Sequence, residues 1–310
     1  RFRVTWPAAG ASAKEAQAAK EAKAAGGSPD RAATALGAIA LTGASARHAI
    51  ASIGQPGSDH LAYARRTLQA LPDELQEAAH QPYAARALMY ALLLSQDTDI
   101  RTQQLEALEK EALPDVYREL MRLASTVLLL DDRLRLPLVE LAIPALKTLS
   151  GKQVEIFRRC LGLLIKADGK VSLFEWALFQ ILQHNLREQS PGVSTLTLKD
   201  CRKECAVLLN VLAQAGQDNE RDVRSALKTA EKELPFALAR LSAEQCGIAT
   251  LNRAMGKLRR LKPLQKPALL KAMARTIEHS GTVRPAEAEV FRAVGEILDC
   301  PMPPLLEESF

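Results

Sequence analysis

Residues 164–182 read Leu164-Ile165-Lys166-Ala167-Asp168-Gly169-Lys170-Val171-Ser172-Leu173-Phe174-Glu175-Trp176-Ala177-Leu178-Phe179-Gln180-Ile181-Leu182. An apolar helical pattern runs into Ala167-Asp168-Gly169, breaks, and restarts after Ser172. Ser172 and Glu175 stand three apart, the capping-box spacing: the serine oxygen can accept from the Glu175 N–H while the carboxylate accepts from the Ser172 N–H. Gly169 supplies the left-handed backbone that closes the first helix. A tight helical hairpin follows from these few residues, and none of them forms a self-contained catalytic set.

The pattern recurs downstream. Aligning Gly281 with Gly169 sets Ile277 under Ile165, Val283 under Val171, Glu287 under Glu175 and Phe291 under Phe179. Pro285 then falls on the first helical position, where its missing N–H costs nothing. A fainter copy has Gly216 in the glycine slot, Asn219 as cap and Asp222 in the glutamate slot. The structural turn residues are therefore Gly169, Ser172, Glu175, Gly281, Pro285 and Glu287.

Composition agrees with an all-α chain. Hydrophobic residues make up 47% of the 310 and aromatics only 4%, with alanine and leucine dominant; that favours helices packed through aliphatic side chains. The best strand candidate, Val193 to Leu198, reads as a lead into a helix near Lys199. Three zones are expected. Residues 1–46 are an Ala/Gly/Ser-rich flexible linker. Residues 47–149 are paired amphipathic helices, with Pro72 and Pro82 at first helical positions and Asp99 or Thr98 capping a helix from Ile100. The stretch Leu136 to Leu146, apolar with two prolines, resembles a HEAT-type repeat helix. Residues 150–310 are the bundle of repeated hairpins.

Charge and cysteines bound the function loosely. Forty-one Lys and Arg against 36 Asp and Glu leave +5, which forces no partner class. Cys160, Cys201, Cys205, Cys246 and Cys300 are scattered and odd in number, as reduced thiols are. Cys201 and Cys205, four apart, supply at most half a zinc site, and buried thiols are the favoured reading. No apolar run approaches the ~20 residues of a membrane helix. The chain opens at Arg1 with neither methionine nor a signal-peptide pattern, which points to a piece of a longer protein with membrane segments upstream.

Two candidate sites remain. Asp168 and Glu175 are weak metal candidates: an EF-hand loop would need oxygen ligands at Leu164 and Lys166, and capping already occupies Glu175. Arg253, Lys257, Arg259, Arg260, Lys262 and Lys266, continuing to Lys271 and Arg275, form a basic run with no acid between them. A solvated helix face is the favoured account, and an anionic surface the functional one. Missing aromatics disfavour single-stranded nucleic acid. Phe174 shares a stripe with Leu178, and Trp176 with Phe179; one stripe is core, the other a surface or a wider apolar face.

The motif Ala167-Asp168-Gly169-Lys170-Val171-Ser172 with Glu175 resembles that of TerB-like (tellurite-resistance) domains, all-helical modules with duplicated hairpins of this kind. The copy at 277–298 departs from the pattern, with Ser280 for the aspartate and Arg284 for the cap. Residues 53–94, Leu173-Phe174-Glu175 and Leu298 to Leu306 further resemble the region following the protease domain of bacterial membrane-bound HtpX-like (M-forty-eight-type) zinc metalloproteases. The resemblance implies a non-catalytic regulatory or protein-binding region on the cytoplasmic side of the bacterial inner membrane. Its partners would be protein substrates or partners of the parent protease, with an anionic membrane surface close by and nucleic acid disfavoured. Such proteases hold zinc through H-E-x-x-H, yet no two of His48, His60, His80, His184 and His279 lie four apart. Zinc is therefore expected only in the parent's protease domain, and no cofactor or catalytic residue in this chain. The alternative is a free-standing TerB-like stress-response protein binding a divalent ion near Asp168.

Overall fold

A computed structural model describes residues 58–187, 194–281 and 283–300. The flexible-linker expectation for 1–46 and the terminal match at 301–306 lie outside them. Within the described residues the chain is all-helical: α1 Ser58–Ala70, α2 Asp73–Ala79, α3 Pro82–Leu92, α4 Thr98–Glu111, α5 Pro114–Leu128, α6 Asp132–Leu146, α7 Gly151–Lys166, α8 Leu173–Asn185, α9 Arg202–Gly216, α10 Glu220–Glu231, α11 Ile248–Leu258, α12 Lys266–Glu278 and α13 Pro285–Ile297. No described helix is long and apolar enough to cross a membrane.

Local chemistry starts these helices where the sequence permits. Pro82, Pro114 and Pro285 open α3, α5 and α13, each contributing a preset φ. Pro72 sits one position before α2, as its cap residue. The cap of α4 is Asp97, not Thr98 or Asp99: its carboxylate accepts from the N–H groups of Asp99 at 2.9 Å and Ile100 at 3.3 Å. Pro137 and Pro144 lie inside α6, which continues past both. Each removes one ladder donor, and burial of Leu138, Val139, Ala142 and Leu146 carries the helix through. The strand candidate contracts to an isolated parallel bridge, Leu196 with Leu261, followed by a 3₁₀ turn Lys199–Cys201.

Two helices are buried on all sides, mostly through apolar side chains, with Arg86 and Asn210 the polar residues in the buried spans. Residues Ala84 to Leu92 of α3 are all buried, enclosed by α2, α5, α6 and α7. Cys205 to Ala213 of α9 are likewise buried, enclosed by α10, α11, α12 and α13. α6 packs on α8 and α13, so buried residues from Leu71 to Leu298 form one cluster.

The opening turn proves to be a corner. α7 packs on α3 and α4, whereas α8 packs on α13 and α6. The chain is thus redirected from one buried helix toward the other. Gly169 has φ +67° and Gly281 φ +76°, the left-handed backbone each turn needs. Both stripes of α8 meet protein: Trp176 and Leu178 are buried, and Phe174 and Phe179 pack partly buried against the same core. The wide apolar face is the correct alternative.

Candidate functional site

Three helix junctions line one cavity: 168–175 between α7 and α8, 215–218 after α9, and 284–289 at the start of α13. Facing them are the C-terminal ends of α3 and α5 and the first turn of α6. The space between is a cavity of about 490 Å³. The repeat seen in the sequence therefore converges in space.

At the first junction the Glu175 N–H donates to Ser172 Oγ at 3.2 Å, and the Ser172 N–H donates to Glu175 Oε2 at 2.6 Å. Asp168 Oδ1 accepts from the Lys170 N–H at 2.9 Å. Both carboxylates named as weak metal candidates are therefore engaged in shaping the turn. Among the described residues no group of three or more His, Cys, Asp or Glu side chains is placed to hold a metal ion.

The second junction closes half a box. The Arg284 N–H donates to Glu287 Oε2 at 2.9 Å, while an arginine side chain has no acceptor to return the bond. Its guanidinium instead reaches Asp218 at 2.6 Å and ties this junction to the third. That pairing holds the Asp218 carboxyl below its usual range. At the third junction Asn219 Oδ1 accepts from the Asp222 N–H at 2.9 Å. Gly216 is not a turn glycine, however. It is the last residue of α9, and Gly169 and Gly281 are the glycines with positive φ among the described residues. What Gly216 supplies is room: a Cβ there would overlap the carboxyl group of Glu287.

Two carboxyls of α13 are buried, of which the sequence named Glu287 only as a turn residue and Glu289 not at all. Glu287 is fully buried, its Oε1 has no hydrogen-bond partner among the described residues, and burial raises its pKa to about 7. Its position was legible as a cap, but its burial was not. Glu289 lines the cavity, is 7% exposed, and is pushed up to about 8 by burial. The only advance signal was its company on one helical face, Ala286 and Ala293, small residues that admit a close neighbour. Arg135, also on the cavity wall, donates to Asp132 at 2.6 Å and lies over the Phe174 ring, 5.5 Å from its centroid.

Gln104 holds the opposite wall. Its Oε1 accepts from the Ser95 N–H at 2.8 Å, and its Nε2 donates to Leu93 O at 3.0 Å and Leu164 O at 3.1 Å. One buried amide thereby joins the ends of α3 and α7. The lining contains no His or Cys, and Ser172 Oγ and Ser95 Oγ both accept backbone N–H groups. The lining sets apolar side chains beside fixed charges.

The basic run divides. Lys266 is 7% exposed and donates to Leu298 O at 2.5 Å, so it belongs to the core edge and not to an anionic-surface patch. Lys257 donates to Asp200 O at 2.7 Å and Glu204 at 3.1 Å, and Arg275 pairs with Glu233 at 3.0 Å. Arg253, Arg259, Arg260, Lys262 and Lys271 are exposed. Between them, in the 3₁₀ turn Pro263–Gln265, Leu264 is 91% exposed.

The cysteines take structural places. Cys160, Cys201, Cys205 and Cys246 are buried, and burial pushes the Cys205 thiol up to about 12. His184 pairs with Asp299 at 3.3 Å and Cys246 accepts from Gln214 at 3.6 Å, so neither joins the Cys201–Cys205 pair. In comparisons with protein-family models, curated proteins and solved structures, this chain matches none.

Proposed function

We propose that this chain is a non-catalytic protein-binding module that receives a segment of a substrate or partner protein in the cleft between the three junctions. The observation that carries the reading is the convergence itself: separate capped turns, fixed by backbone hydrogen bonds, surround one cavity of about 490 Å³ lined by both apolar and charged side chains. A rigid lining of that kind lowers the ordering cost of binding. The likeness of 53–94, 168–169, 173–175 and 298–306 to the region downstream of HtpX-like zinc metalloprotease domains supplies the setting: a regulatory region beside a membrane-anchored protease. The divalent-ion alternative demands more of the same turn, since Asp168 and Glu175 would have to release the backbone groups they hold.

The test uses Ala286, half-buried on the cleft wall. Ala286→Trp fills the cavity. In the full-length parent it lowers turnover of casein while leaving cleavage of a short fluorogenic peptide intact. Unchanged casein turnover in a folded variant, or chelator-sensitive cleavage by the isolated chain, overturns the reading.

A second reading rests on Leu264. An apolar side chain 91% exposed among Arg259, Arg260 and Lys262 is suited to an anionic bilayer surface, where each nearby cation contributes about 1 kcal/mol. Sedimentation with phosphatidylserine vesicles, but not phosphatidylcholine vesicles, should weaken in Leu264→Ser. Equal retention of both proteins would remove it.

A further inference from the structure

Every other carboxylate on the cleft wall has a partner. Asp132 holds Arg135, Asp218 holds Arg284, Asp168 accepts the Lys170 N–H, and Glu175 accepts the Ser172 N–H. Glu289 does not: among the described residues it has neither a hydrogen bond nor an ion pair, although it is 7% exposed and faces the cavity. A carboxyl so placed is costly unless something completes it.

The surroundings say what completes it. Arg135 makes its ion pair with Asp132 and lies over the Phe174 face, and no hydrogen bond or ion pair joins it to Glu289 among the described residues. The helix N-termini at the cleft already have their acceptors, Asp131 on α6, the Ser172–Glu175 pair on α8 and Glu287 on α13. The C-terminal ends of α3, α5 and α9 point the negative ends of their dipoles the same way. Leu173, Phe174 and Ala286 line the same cavity and offer apolar surface. A long apolar stem with a cationic tip meets both demands.

We infer that Glu289 anchors a lysine or arginine side chain of the bound partner segment, the stem lying along the apolar wall and the charged head meeting the carboxylate. The inference rests on the cleft being the binding site. It carries a proton signature. Burial holds Glu289 protonated up to about pH 8, so at pH 7 an entering cation displaces that proton to solvent and leaves an ion pair. Of the charges facing Glu289, Arg135 favours its ionisation and Asp132 opposes it.

The experiment titrates the isotope-labelled full chain with N-acetyl-lysine methylamide, N-acetyl-arginine methylamide and the uncharged stem N-acetyl-norleucine methylamide, followed by chemical shifts and by calorimetry in buffers of different ionisation enthalpy. The cationic probes should perturb the 284–289 and 168–175 signals and bind roughly tenfold tighter than norleucine at pH 8.5, as a charge-assisted pair requires. At pH 7 their binding should release close to one proton. Glu289→Gln, which keeps the shape, should abolish both the preference and the release. If norleucine binds in the cleft as well as lysine, or if Glu289→Gln keeps the preference, the cation assignment fails while the cleft reading stands. If no probe perturbs the cleft, both fail.

Discussion

Gly216 shows how one residue type hides different physical causes. In the sequence it fills the slot of Gly169 and Gly281, yet its backbone is helical and its function is to admit the Glu287 carboxyl. Gly216→Ala should therefore cost about 1–3 kcal/mol, the usual range for overpacking, read as a lower urea midpoint at unchanged slope. The carboxyls make stability depend on pH. Glu287 and Glu289 start near 4.5 in the unfolded chain and are raised to about 7 and about 8 in the fold. Between those limits the native state holds more protons than the unfolded one, so stability falls as pH rises from about 4.5 to about 8. Glu287→Gln and Glu289→Gln should each flatten part of that slope, on the order of a few kcal/mol in urea titrations across this window. A slope unchanged by both substitutions would mean the carboxyls titrate normally. The sequence made Glu287 visible through its spacing from Pro285. It could not reveal burial, because burial of both carboxyls depends on elements distant in the chain.

Among elements, the turn between α7 and α8 was the most legible part of the fold, because its information is local. A serine, a glutamate three residues on and a glycine before them determine a cap wherever they occur. What the two helices pack against was not local. The hairpin reading implies mutual contact, whereas α7 rests on α3 and α4 and α8 on α13 and α6. Between the two helices a hydrogen bond from the Arg158 guanidinium to Leu186 O at 2.9 Å braces the turn. Gly169→Ala and Gly281→Ala, at φ +67° and +76°, should each cost about 1–2 kcal/mol. Ser172→Ala should cost about 1 kcal/mol through the lost cap. Gly256→Ala is the control of opposite sign: it lies inside α11 with nothing within 4 Å of an added Cβ, and should stabilise by about 0.5–1 kcal/mol. Thermal melts of the four variants order these effects. A Gly169→Ala protein as stable as Gly256→Ala would mean the corner relaxes freely.

At the scale of the whole molecule, composition alone pointed to helices, and Leu120, Leu123 and Val127, three and four apart, are buried along one face of α5. Harder to read was how the part before residue 150 joins the part after it, since amphipathic patterns name a buried face but not its partner. The joint is made by α7 on α3 and α4, and by α6 on α8 and α13, where Arg292 also pairs with Glu140. The cleft lies across this joint, so its shape depends on both parts being folded together. Such a shared core should unfold in one step. Cys160 on α7 and Cys246, just before α11, are both buried and report from the two sides. Pulsed alkylation along a urea gradient should unmask both thiols at one midpoint, coincident with the loss of helical circular dichroism. If Cys246 becomes reactive at lower urea than Cys160, the two parts unfold separately. Binding in the cleft would then close the joint, and the lysine probe should shift the lower midpoint upward while leaving the other in place.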